Sequence, residues 1–177
     1  MTVPLDANAA LDALRPEPGL VVLMCGVAGS GKTTFAKGLE ARGFLRLSID
    51  EEVWRGAGRF GLDFDAAAYP QHLENARAVL RRRLIDAMRG KIPSVVDSAF
   101  WGRAARDDYK RLIEAHGCVW TLVYLKAEPS LLRARLLDRS RRFDANAAFA
   151  VDDAMLERFL GSFEAPAGEG ELTVAVA

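Results

Sequence analysis

The sequence is poor in cysteine, histidine and lysine, with two, two and five copies in 177 residues. Two cysteines cannot make a disulfide framework. Cys25 and Cys118 lie in apolar segments without C-x-x-C spacing and read as buried reduced thiols of a cytoplasmic protein. His72 and His116 hold no ligand spacing with them, so nothing points to a zinc-type site. Also missing is any apolar run near the roughly 18–20 residues a membrane span requires. The longest, Leu20 to Cys25, has the length of a strand. The amino-terminal stretch has no basic patch followed by an apolar core, so no secretory signal is expected. Nor is there an excess of either charge: 24 Lys+Arg face 24 Asp+Glu. That balance excludes a protein that coats nucleic acid or an acidic membrane.

What is present is a globular composition, with 50% hydrophobic and 27% charged residues. The length suits one domain. Of the 24 cations 19 are arginine, the residue better suited to bidentate phosphate contacts.

Periodicity divides the chain into alternating strands and helices. Residues 6–15 predict a short helix in a leader, residues 1–19, ended by Pro16 and Pro18. The continuous apolar run Leu20–Cys25 predicts a strand buried on both faces, as in parallel sheets. A helix over Thr33–Ala41 and a strand over Phe44–Ile49 follow. Residues 55–69 read as a loop with a turn or two of helix. A long helix is expected from about Pro70 to Arg89, with Leu73, Ala76, Leu80, Leu84 and Ala87 inward. Strands over Ile92–Val96, Cys118–Leu125 and Leu172–Val176 alternate with helices over Arg103–His116, Pro129–Asp138 and Asp152–Leu160. The pattern predicts an α/β fold with a five-stranded, mostly parallel sheet flanked by helices.

One motif dominates. Gly26-Val27-Ala28-Gly29-Ser30-Gly31-Lys32-Thr33 matches G-x-x-x-x-G-K-[ST] at every fixed position. Glycines let the backbone curl so that successive N–H groups cradle phosphate oxygens. The following helix adds the positive end of its dipole. Lys32 reaches the β- and γ-phosphates in such a loop, and Thr33 places its hydroxyl on Mg²⁺. The expected nucleotide-binding set is Gly26, Ala28, Gly29, Ser30, Gly31, Lys32, Thr33 and Thr34. A buried strand before the motif and a helix after it make a P-loop NTPase fold the expectation for residues 20–177. The guanine-reading N-K-x-D motif is absent, and the length favours small-molecule and nucleotide kinases over motors and AAA+ ATPases.

Three further features carry chemistry. Asp50 ends the second strand, where ligands of a parallel sheet bind. It can accept the proton of an attacking hydroxyl or cap the next helix. Asp97 ends the third strand and can orient Mg²⁺ and its water, or serve as a turn residue. Ser98, Phe100, Trp101 and Arg103 follow it and can line an acceptor pocket. Arg135 and Arg139 sit four apart on one helix face. They can clamp the nucleotide and the transferring phosphoryl group, or form a solvated helix end.

The order of these elements resembles a known group. A phosphate loop is followed by S-x-D at Ser48–Asp50, then D-S-x-x-W-x-R-x-x-R-D from Asp97. Then come V-Y-L-K-A from Val123 and R-L-x-x-R from Arg135. Over about residues 20–165 the chain resembles the small AAA-type P-loop kinases grouped with the zeta toxins, chloramphenicol phosphotransferase and the 5′-kinase domain of polynucleotide kinase. The resemblance implies that Lys32, Asp50, Arg135 and Arg139 are catalytic, with Asp50 as general base. It places Thr33 and Asp97 near the metal. It puts Arg55, Arg103 and Arg106 where members hold acceptor groups or phosphates, and Asp50, Asp97 and Trp101 beside the acceptor. It implies a small helical lid at about residues 139–153, which would exclude water. The D-G-[FY]-P-R motif of adenylate kinases is absent, and residues 51–75 follow no acceptor pattern.

The expected activity is transfer of the γ-phosphoryl group of ATP, with GTP not excluded, to a hydroxyl of a small molecule. An antibiotic or a nucleoside is one form of that acceptor. The alternatives are a nucleic-acid 5′-kinase, against which the neutral charge counts, and a nucleotide-binding regulator without acceptor chemistry. The partners expected are a nucleoside triphosphate and a small hydroxyl-bearing substrate. No membrane is expected, and the oligomeric state is monomer or homodimer.

Overall fold

A computed structural model describes residues 4–139 and 152–176. Five strands form one all-parallel sheet: β1 (Leu20–Cys25), β2 (Leu45–Ser48), β3 (Ser94–Asp97), β4 (Val119–Ala127) and β5 (Glu171–Val176). The spatial order is β2-β3-β1-β4-β5. The helices are α1 (Ala7–Ala13), α2 (Lys32–Glu40), α3 (Ile49–Ala57), α4 (Tyr69–Arg89), α5 (Arg103–Ala115), α6 (Pro129–Arg139) and α7 (Asp153–Ser162).

The apolar run of β1 is continuous because both of its faces are covered. Successive strand side chains point to opposite faces. Val22 and Met24 pack with Phe35, Ala36 and Leu39 of α2 and with Ala10 of α1. Val21, Leu23 and Cys25 pack with Leu80, Leu84 and Met88 of α4 and with Ile113 of α5. The leader contributes to this core. Leu5 exchanges backbone hydrogen bonds with Thr173 and Ala175 of β5, and Ala10 and Leu14 are buried.

Two readings of the loops need correction. In the segment expected from residue 55 as a loop with a turn or two of helix, residues 55–57 are the last turn of α3, and Ser48 rather than Asp50 caps that helix, accepting from the Glu51 N–H at 3.4 Å. Phe100 does not line a pocket. It is buried against Tyr109, with ring centroids 4.9 Å apart. The lid expected at about residues 139–153 lies mostly outside the described residues.

Arg106 is the largest fully buried side chain among the described residues. Its Nε and Nη2 donate to both carboxylate oxygens of Glu169 at 2.8 and 2.6 Å, and Nη1 donates to the Phe100 carbonyl at 2.9 Å. Lys110 donates to the Glu169 backbone carbonyl at 3.0 Å. The cluster ties α5 to the turn before β5 and to the loop after Asp97. Arg106 therefore holds the fold together, and the expectation that it grips a substrate group is overturned: its donors are spent on Glu169 and Phe100.

Hydrogen bonding from Arg106, against the cost of burial, holds the Glu169 carboxyl below its ordinary range. A carboxyl lowered in the folded state adds stability above its ordinary value and loses it as pH falls through the folded value. Arg106→Met strands a buried carboxylate and should cost about 3–5 kcal/mol in urea unfolding at pH 7. Glu169→Gln should flatten the acid limb of the stability–pH curve below about pH 4.

Candidate active site

Parallel connections leave β1 and β3 in opposite directions, α2 toward β2 and α5 toward β4. The crevice between the carboxyl ends of two such strands is where open α/β sheets bind ligands. A cavity of about 1400 Å³ opens there. That exceeds the roughly 300–1,000 Å³ typical of a site for one small ligand, and it has two halves.

The phosphate loop forms the floor of the first half. Gly31 has φ +95° and begins α2 without a side-chain cap, which leaves the first helical N–H groups facing the cavity. At Gly26, φ +147°, a Cβ would stand 2.6 Å from Ser30 Oγ and 2.9 Å from the Leu125 carbonyl. Only glycine fits there. Lys32 Nζ donates to the Val27 carbonyl across the loop at 2.9 Å. Leu132 and Leu136 of α6 pack with Val27, and the Leu136 side chain would lie 3.2 Å from a Cβ on Gly29. The same helix turns Arg135 into the cavity, its Nη1 3.5 Å from where a Cβ on Gly31 would stand. The Arg139 side chain lies outside what the structure describes.

The loop fits a bound nucleotide and its metal. Ser30 Oγ is buried within the cradle without a hydrogen-bond partner among the described residues, and buried hydroxyls of that kind are rare unless something meets them. Thr33 Oγ1 stands 3.5 Å from Asp97 Oδ1. A hydroxyl beside a carboxylate at the end of a phosphate loop is a hard-oxygen donor pair that suits Mg²⁺.

Asp97 is held by a residue that sequence reading passed over. Arg46, on β2, directs Nε and Nη2 to Asp97 Oδ2 at 3.1 and 2.9 Å, and Nη1 to Glu51 Oε1 at 2.8 Å. Its side chain and that of Asp97 are 3% and 4% exposed. Burial opposes the arginine's charge, but hydrogen bonds to Glu51 and Asp97 outweigh it and raise its proton affinity. Because the fork takes only Oδ2, Oδ1 is left toward Thr33. An arginine in the short apolar strand Leu45–Ser48 was the available signal.

Asp50, in the first turn of α3, lines the same cavity as Lys32, Thr33, Asp97, Trp101 and Arg135, as the sequence implied. Ala28, Gly29, Ser30, Gly31 and Thr34 line it too. Arg55 and Arg103 do not. Arg55 pairs with Glu52 at 2.7 Å on the opposite flank of α3, beside a smaller cavity. Arg103 is exposed and pairs with Asp107 at 3.4 Å. Sequence reading also missed Trp54, Phe60, Phe64 and Tyr69 in the second half of the cavity.

A family described as an AAA domain matches residues 21–166. The chain belongs to that family. A UPF0200 protein of Pyrobaculum aerophilum is 32% identical over 124 residues, which is 70% of this chain and 68% of that protein. Among solved structures, a candidate kinase from Chloroflexus aurantiacus superposes with a TM-score of 0.71 at 18% identity, covering 90% of this chain and 89% of that one. A gluconokinase from Sinorhizobium meliloti gives 0.57 at 25% identity, covering 92% and 83%. The fold is that of the P-loop kinases, and nucleotide binding follows from it. No helix among the described residues is long and apolar enough to cross a membrane.

Replacing Arg46 with Met takes from the buried Asp97 carboxylate the cation it pairs with among the described residues. Chemical denaturation should register a loss of about 3–5 kcal/mol. A loss below 1 kcal/mol would show that the pair does not hold Asp97.

Proposed function

We propose that the protein is a cytoplasmic phosphotransferase that moves the γ-phosphoryl group of ATP to a hydroxyl of a small molecule. The observation that carries this reading is that a complete phosphate loop and the Asp50 carboxylate open on one cavity large enough for two ligands. The finer grouping with zeta toxins and chloramphenicol phosphotransferase belongs to the same proposal, as does the lid.

Bound ATP would supply the phosphoryl group, and Mg²⁺ held near Thr33 and Asp97 would neutralise charge on the β- and γ-phosphate oxygens. Lys32 is tethered to Val27 in this structure. Exchanging that carbonyl for a phosphate oxygen replaces a neutral acceptor by a charged one, which strengthens its hydrogen bond. Arg135, on the wall beside Gly31, faces the loop with a guanidinium that can follow the charge as it spreads over the transferring group. Asp50 takes the proton of the acceptor hydroxyl. It stands in the first turn of α3, the end of a helix where the dipole favours negative charge.

Asp50→Asn should lower acceptor-dependent ADP formation by about 10²–10⁴-fold while ADP affinity stays unchanged in titration calorimetry. Lys32→Ala should lose turnover and weaken nucleotide binding together. Full activity in Asp50→Asn would remove the carboxylate from the base role.

A further inference from the structure

Three acids stand in the first turn of α3, and their surroundings differ. Asp50 lines the cavity. Glu52 is buried on the opposite flank, where Arg55 and Arg83 both donate to its Oε1. Glu51 lines the cavity too, but its Oε1 accepts from Nη1 of Arg46 at 2.8 Å.

That bond bears on Asp97. Arg46 does not line the cavity. Its fork holds Asp97 Oδ2, while Oδ1 stands 3.5 Å from Thr33 Oγ1. A buried carboxylate gripped by a guanidinium of its own is a poor partner for a second cation. The arginine cancels most of its charge, and a divalent ion would meet an oxygen with little net field behind it. Here the guanidinium is divided between two carboxylates, so Arg46, Asp97 and Glu51 together carry one net negative charge. Arg46 and Asp97 are almost fully buried, which limits screening of their part of it. Glu51 is 36% exposed, so solvent screens part of its field. The other acids on the cavity wall lie elsewhere. Asp6 caps α1 and Asp138 belongs to α6.

We propose that Glu51 is a positioning residue for the metal: by sharing Arg46 with Asp97 it returns negative charge to the Asp97 carboxylate and sets the affinity for Mg²⁺ bound with the nucleotide. This rests on the nucleotide and metal part of the phosphotransferase reading above. A Glu51 that only tethered Arg46 would need no more than a hydrogen-bond acceptor for Nη1. Substitution parts the two roles. Glutamine keeps an acceptor at the same reach and loses the charge. Aspartate keeps the charge and falls one methylene short.

The test measures, by titration calorimetry on the full chain, the affinity for β,γ-imido-ATP with saturating Mg²⁺ and with EDTA. The ratio of the two is the contribution of the metal. The parent should bind more tightly with Mg²⁺. Glu51→Gln should cut the ratio about three- to tenfold, the effect of one partly screened unit charge. Its affinity in EDTA should be unchanged or slightly tighter, since one negative charge near the triphosphate is gone. Glu51→Asp should keep most of the ratio. Asp86→Asn, which removes an exposed charge paired with Arg89 near the end of α4, should match the parent. A parental ratio in Glu51→Gln overturns the inference and leaves nucleotide binding standing. So does a Glu51→Asp ratio no better than that of Glu51→Gln, or an equal loss with and without metal. A parent that does not respond to Mg²⁺ overturns the inference together with the metal role of Thr33 and Asp97. Failure to bind β,γ-imido-ATP at all would overturn the phosphotransferase reading as well.

Discussion

The site depends on parallel pairing between two strands that are far apart in the chain. Val22 is paired with Val95 and Leu23 with Val96, so β1 and β3 end at nearly the same level. The backbone after β1 becomes the phosphate loop and the last residue of β3 is Asp97, within reach of Thr33. Shifting that register by one residue would turn Asp97 toward the other face of the sheet. The register is fixed because both faces are packed, with α1 and α2 on one side and α4 and α5 on the other.

Burying charge in such a sheet is costly unless every lone pair and proton is met. Arg46 bridges Asp97 and Glu51, which joins β2, β3 and α3. Arg106 does the same for α5, the turn before β5 and the loop after β3. The two clusters flank the carboxyl ends of the strands. Both fix backbone around the cavity, one beside Asp97 and one beneath Trp101. Cys25, next to the loop, is pushed up to about 11 by its burial, so its thiol stays protonated and inert there.

Much of this was legible in the residues. The apolar strands and the glycine-rich motif carry local signals, and the five strands, their parallel character and the phosphate loop followed from them. Asp50 and Asp97 were singled out by the rule that ligands gather at carboxyl strand ends, and Arg135 by its spacing from Arg139 on one helix face; all three line the cavity. Arg46, Arg55, Arg103 and Arg106 were misjudged or passed over for one reason. A sequence displays an arginine's charge but not its partner, and each partner here is either distant in the chain or hidden in a helix turn. The ring-lined half escaped because its aromatic residues are spread over three segments without periodicity.

Leu5 has a consequence beyond its size. It forms one parallel bridge to Val174 along the outer side of β5. An open strand edge offers unpaired N–H and C=O groups to any other chain. By laying its own backbone there the protein occupies part of that edge, and the opposite edge strand, β2, is only four residues long. The segment before the first helix thus covers part of the edge that another strand could pair with, and Pro4 beside Leu5 has no N–H to offer to a further strand.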